Sequence, residues 1–140
     1  MSKVAVVYWS STGNTEAMAK AVVSGAEEKG AEVTLFECNE FNETMMDGYD
    51  AVAFGCPAMG AEELEEDEFE PMFAGCEAKL DGKKIALFGS YGWGDGEWMQ
   101  TWEDRCKDKG AVLACDCVMC CEEPDDEGVE NCKALGAALA

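Results

Sequence analysis

Ser10-Ser11-Thr12-Gly13-Asn14-Thr15 places five hydrogen-bonding side chains and one glycine in six consecutive positions. An apolar run ends just before it at Trp9, and a segment of helical periodicity follows. A strand-to-helix turn of this composition can hold an anion with dipoles alone. Backbone N–H groups at a helix N-terminus point outward without partners, and the helix dipole favours negative charge there. The hydroxyls and the amide add donors, and Gly13 lets the backbone approach a ligand closely. The turn is not a Walker A loop, which needs its lysine, nor a G-x-G-x-x-G fingerprint. Taken alone, it also reads as a well-capped helix start, with Thr12 or Asn14 as the cap.

Two further stretches could do chemistry. In "GSYGWGDG", Trp93 stands between Gly92 and Gly94, with Tyr91 just before. A tryptophan held between glycines is a poor core residue and a good lid for a flat aromatic ligand, although it could equally cover a sheet edge. In "CPAMG", the thioether of Met59 suits a ring face, and Gly60 can adopt backbone angles closed to other residues. Glu62 follows closely and could accept a hydrogen bond from a ring N–H. Each of these residues, alone, is also ordinary loop filler.

Composition narrows the field. Thirty acidic against ten basic residues give a net charge of −20. Nucleic acid needs a basic stripe, and an anionic membrane surface needs cations too, so both are poor partners. Basic proteins are the matching class, with encounter sped by opposite charge, although acidity also simply aids solubility. Histidine is absent, which excludes Ser-His-Asp triads and imidazole acid–base chemistry. Nine cysteines without a framework pattern or a secretory leader suggest a reducing cytoplasm. The "CDCVMCC" run holds Cys117-x-x-Cys120, a spacing met in redox and metal sites, but no second pair accompanies it. Core filling is the better reading of these sulfurs. The acidic "EEPDDEG" run lacks cation-loop spacing and reads as a solvated turn near the same sheet edge.

The elements that must position the three loops follow from periodicity. Strands are expected at Lys3 to Trp9, Ala31 to Glu37, Ala51 to Gly55 and Lys84 to Gly89. A fifth covers Ala111 to Cys121, with a break near Asp116. Helices are expected at 14–29, 64–76, 97–109 and 126–139, with Gly30 and Gly110 ending two of them. Met18, Ala21, Val22, Gly25 and Ala26 make one apolar stripe on the first helix. Alternating strands and helices imply a parallel sheet covered on both faces, an α/β three-layer, doubly wound, five-stranded arrangement. Residues 1–140 read as a single domain without a linker. In such sheets ligands bind beyond the carboxyl ends of the strands, where all three loops emerge.

In order and spacing, "YWSSTGNTEAMA", "GCPAMGAEELEE", "LFGSYGWGDGEWM" and the closing "CKALG" helix together resemble the short-chain flavodoxins, FMN-binding electron carriers of anaerobic bacteria. The resemblance spans nearly the whole chain and implies strand order 2-1-3-4-5. It implies that Ser10 to Thr15 hold the FMN phosphate, that Met59 and Trp93 sandwich the isoalloxazine, and that Glu62 binds N3–H. The Gly60 carbonyl would turn to accept the N5–H formed on one-electron reduction, stabilising a neutral semiquinone. Pro57, Ala58, Ser90, Tyr91, Gly92 and Gly94 complete the implied cofactor-binding set. Ser11 stands where the family often has glycine, and Ala61 where it often has a polar residue.

Residues 61–70 hold seven carboxylates, and none of the three loops contains lysine or arginine. A second electron would make the ring anionic beside that charge, so the semiquinone/hydroquinone couple should be strongly reducing. The expectation is a low-potential, monomeric, cytoplasmic one-electron carrier that substitutes for ferredoxin, serves basic redox partner proteins and turns over no substrate of its own. An FMN-dependent NAD(P)H oxidoreductase on the same fold is the alternative; it would need a nicotinamide pocket and basic residues for the adenosine phosphates. A non-redox signalling module is a third reading, against which the Gly-Trp-Gly loop argues.

Overall fold

Short runs of branched and aromatic residues pair into one parallel sheet, and the periodic segments between them cross over as helices. The computed structural model describes residues 2–11, 13–59, 64–92 and 96–140. Its elements run β1 (Lys3–Tyr8), α1 (Asn14–Glu28), β2 (Glu32–Glu37), α2 (Glu43–Met46), β3 (Ala51–Gly55), α3 (Phe69–Cys76), β4 (Lys84–Tyr91), α4 (Glu97–Asp108), β5 (Val112–Leu113), β6 (Val118–Cys121) and α5 (Asp126–Leu139). Single 3-10 turns lie at Cys38–Glu40 and Glu77–Lys79. The strands are parallel in the order β2-β1-β3-β4-β5, with β6 also on β4.

Period-two alternation sends successive side chains of the central strands to opposite faces. Ala5, Val7, Val52, Phe54, Ile85 and Leu87 meet α3 and α4 through Phe69, Phe73, Trp98 and Trp102. Val4, Val6, Ala51, Ala53, Ala86 and Phe88 meet α1 and α5 through Met18, Val22, Cys132 and Leu135. On the first face the aromatic rings pack edge to face, as in Phe54–Phe73 at 5.1 Å and Phe69–Trp102 at 5.5 Å. Arg105 locks that layer from outside. It reaches Glu70 at 2.7 Å and Glu77 at 2.6 Å while stacking 5.0 Å over the Phe73 ring.

The fifth strand breaks near Asp116, as expected: Leu113 pairs with Ile85, and Val118 pairs with Phe88. Three steps on β4 face five on the other chain segment, so residues 114–117 bulge out by two residues, around Asp116. The helix expected from Leu64 starts only at Phe69, because the residues before it fold back as a turn around the Glu65 carboxylate. In addition, β4 runs to Tyr91, two residues beyond the expected end, where Ser90 and Tyr91 pair with Cys120 and Cys121. Helix α2 and the two 3-10 turns were not anticipated; at three or four residues they are too short to show a period.

Candidate functional site

Parallel pairing brings the carboxyl ends of β1, β3, β4 and β6 to one edge, and the loops leaving them meet there. Trp9 N–H donates to the Gly55 carbonyl at 3.0 Å, which joins the first loop to the end of β3. Ala58 N–H donates to the Ser90 carbonyl at 3.0 Å, which joins the second loop to β4. The Thr15 and Ser90 hydroxyls share a buried hydrogen bond of 2.8 Å, tying α1 to β4. Tyr91 packs against Trp98 of α4 with ring centroids 5.7 Å apart.

Gly13 is the residue at which the chain turns into α1. Its φ of 93° lies in the left-handed region that disfavours any side chain, and its N–H donates to Ser10 Oγ at 3.1 Å. A Cβ placed there would meet nothing within 4 Å. The glycine is therefore required by the torsion rather than by close approach of other parts of the chain, a refinement of the sequence reading. Asn14 is the first residue of the helix, not its cap, and Thr15 turns its hydroxyl toward Ser90 instead. Among the described residues, no side chain accepts from the N–H groups of Asn14, Thr15 or Glu16. Asn14 is thus not the cap; Thr12, the other candidate cap, lies outside the described residues.

A cavity of about 220 Å³ opens above this turn. Ser10, Ser11, Asn14 and Thr15 line one side, Pro57, Ala58 and Met59 a second, and Ser90, Tyr91 and Gly92 a third. Glu122 completes the rim. Ten of these eleven described residues are uncharged, and no lysine or arginine is among them. Gly60, Glu62, Trp93 and Gly94, also expected in the site, lie outside the described residues.

 Larger grooves of about 500 and 490 Å³ flank the 114–117 bulge, but carboxylates, thiols and thioethers line them, not a donor set for an anion.

Sequence reasoning missed two residues here. Glu122 leaves β6 with φ 60°, left-handed and unusual for a glutamate, while its N–H donates to the Tyr91 carbonyl at 2.7 Å. Glu65 is 6% exposed, and its carboxylate accepts from the N–H groups of Asp67, Glu68 and Phe69 at 2.9, 2.7 and 2.8 Å. Burial alone would raise its pKa, but the three N–H bonds outweigh that and hold it below the usual carboxylate range. Glu70 is engaged by Arg105, so the acidic run at 61–70 is not a set of seven free charges.

Core filling holds for part of the cysteine run: Cys115 and Cys117 are half-buried and Cys121 is exposed. Cys120 is buried, and burial pushes the Cys56 and Cys132 thiols up, keeping them protonated. Cys117 donates its S–H to Glu103 at 3.1 Å. Among the described residues, no group of three or more metal-ligating side chains converges.

The flavodoxin family model matches residues 6–136. The chain belongs to the flavodoxin family. It is 45% identical to a flavodoxin of Megasphaera elsdenii, over 98% of each chain, and 43% identical to one of Clostridium beijerinckii, over 96% of this chain and 97% of that one. The solution structure of two-electron reduced Megasphaera elsdenii flavodoxin superposes with a TM-score of 0.90, covering 97% of both chains. Flavodoxins are FMN-bound electron carriers rather than enzymes, and this flavodoxin is one. The cavity fits the cofactor: hydroxyls and a helix N-terminus that no described side chain caps suit a phosphate and a hydroxylated chain without a cation. Its function implies redox partner proteins, and no helix among the described residues is long and apolar enough to cross a membrane.

Proposed function

We propose that this flavodoxin is a low-potential carrier that serves basic redox proteins in place of ferredoxin. It would act in the cytoplasm as a monomer, with residues 1–140 working as one domain. The observation that carries the reading is the start of α1, which opens into the cavity with no side-chain cap and no cation among the described residues. Bound FMN supplies the one-electron chemistry. Ser10, Ser11, Thr12, Gly13, Asn14 and Thr15 hold its phosphate by N–H and hydroxyl donors, and Ser90 steadies that loop through Thr15. Pro57, Ala58, Tyr91, Gly92 and Gly94 shape the walls, Met59 and Trp93 flank the ring, and Glu62 accepts its N3–H. The Gly60 carbonyl would accept a hydrogen bond donated by the N5–H of the ring. Absence of nearby cations, with net charge −20, disfavours placing a further negative charge on the ring.

Stepwise reduction of the FMN-loaded protein tests this reading. Gly60→Ala should lower the fraction of flavin radical at half-reduction, because a side chain restricts the peptide's rotation. Equal radical fractions in Gly60→Ala and the parent protein would overturn the role given to Gly60.

A further inference from the structure

We infer that Trp98 is a positioning residue for the flavin: from the core it holds the second wall of the cavity in place against the third, while lining neither. The inference rests on the proposed placement of the flavin ring between those walls. Trp98 and Trp102 stand one turn apart on α4, each 1% exposed and in the same core. Their N–H groups differ. Trp98 Nε1 donates to the Cys56 carbonyl at 3.2 Å, one residue before the wall made by Pro57, Ala58 and Met59. The Trp98 ring also packs against Tyr91 of the third wall, with centroids 5.7 Å apart. Trp102 Nε1 has no acceptor among the described residues, and its ring meets Phe69 and Phe73 on the side of α3.

The backbone alone leaves this wall partly tied. Cys56 N–H donates to the Phe88 carbonyl at 3.1 Å and Ala58 N–H to the Ser90 carbonyl at 3.0 Å. Pro57, between them, has no N–H to give. Cys56 itself is fully buried, and a buried carbonyl is costly to leave without a donor. Trp98 supplies a donor from the helix layer, and Gly89 makes room for it. A Cβ on Gly89 would lie 2.2 Å from the Cys56 oxygen and 3.1 Å from Trp98 Cζ2. One indole therefore braces the end of β3 by its N–H and the end of β4 by its face. Without that brace the two walls can shift relative to one another. A flat ring between them depends on the gap, because dispersion contacts fade steeply with distance. A gap fixed before the ligand arrives also leaves less ordering to be done on binding.

Titration of the FMN-free protein with FMN and with riboflavin tests the inference. Trp98→Phe keeps a ring against Tyr91 and removes the N–H. Both ligands should bind about fivefold more weakly, the scale of one hydrogen bond, because the walls hold the ring that the two ligands share. The visible absorption bands of bound FMN should move toward those of free flavin. Trp98→Met fills the same space with a flexible chain and decides the matter if Trp98→Phe does not fold. Trp102→Phe should cost stability in urea yet leave both affinities and the bands in place. The inference is overturned if Trp98→Phe and Trp98→Met keep the parent affinities, if FMN alone weakens, or if Trp102→Phe weakens both ligands as much. Should the Trp98 variants be silent while Ser10→Asp loses FMN, only the role of Trp98 is wrong; should Ser10→Asp be silent too, the placement of FMN in this cavity falls as well.

Discussion

Helices α1 and α3 both begin beside a loop at the carboxyl edge of the sheet, and they treat their first N–H groups in opposite ways. At α1 the preceding residues are small and neutral, and among the described residues no side chain caps Asn14, Thr15 or Glu16. At α3 the chain folds its own Glu65 back and satisfies three donors at once. Helix α5 follows α3, with Asp125 accepting from Gly128 N–H at 2.8 Å. The resource is the same in each case: unpaired donors and the positive end of a helix dipole. An acidic chain could fill every such end with a carboxylate. Helix α4, entered through Gly96, also has no side-chain cap among the described residues, but carboxylates line the groove beside it; α1 opens into a cavity with mostly neutral walls, which suits an anion from outside.

The largest effect should come from filling α1 as α3 is filled. In Ser10→Asp, a carboxylate would take the Gly13 N–H and repel a phosphate. A unit charge about 4 Å away is worth roughly 4 kcal/mol at an effective dielectric near 20, so FMN affinity should fall by about a hundredfold or more. Riboflavin, which lacks the phosphate, should lose far less. Titration of the FMN-free protein with both ligands checks this; equal losses would show that α1 does not hold the phosphate.

Emptying α3 should cost less, and in stability. Glu65→Ala removes a buried cap, worth about 2 kcal/mol in urea unfolding. The pH dependence has a definite sign. Because the folded carboxyl is held below its usual range, its contribution is present above the unfolded pKa and is lost as pH falls through the folded value. The parent protein should therefore lose more stability on acidification than Glu65→Ala does. Parallel acid profiles would remove Glu65 from that role.

The contrast between the two helix starts was half legible in the sequence. Strand β3 and helix α5 fall where periodicity and flanking turns put them, at Ala51–Gly55 and Asp126–Leu139. The first loop announced itself, because a run of hydroxyls between a strand and a helix has few other uses. The cap of α3 did not. Six acids lie between Glu62 and Glu68, broken only by Leu64, and only the packing of Cys56 and Phe69 selects Glu65 for burial. Glu122 was equally hidden, since nothing local marks a glutamate for a left-handed torsion. The break near Asp116 was legible, but its size was not, because a strand of alternating small residues reads the same with two residues added.

The smallest effect should come from Gly13→Ala, and it separates two uses of a glycine. The torsion of 93° costs an alanine about 1 kcal/mol, while the reduced freedom of the unfolded chain returns part of that. Stability in urea should thus fall by about 1 kcal/mol or less. The space around a Cβ there is open to the rest of the chain, so any larger penalty must involve the ligand. If FMN meets only N–H groups and hydroxyls at this turn, its affinity should drop by no more than about fivefold, the scale of one hydrogen bond. A loss near a hundredfold, with stability little changed, would mean that the phosphate presses against the Gly13 Cα itself. The open end of α1 would then be specific for shape as well as charge.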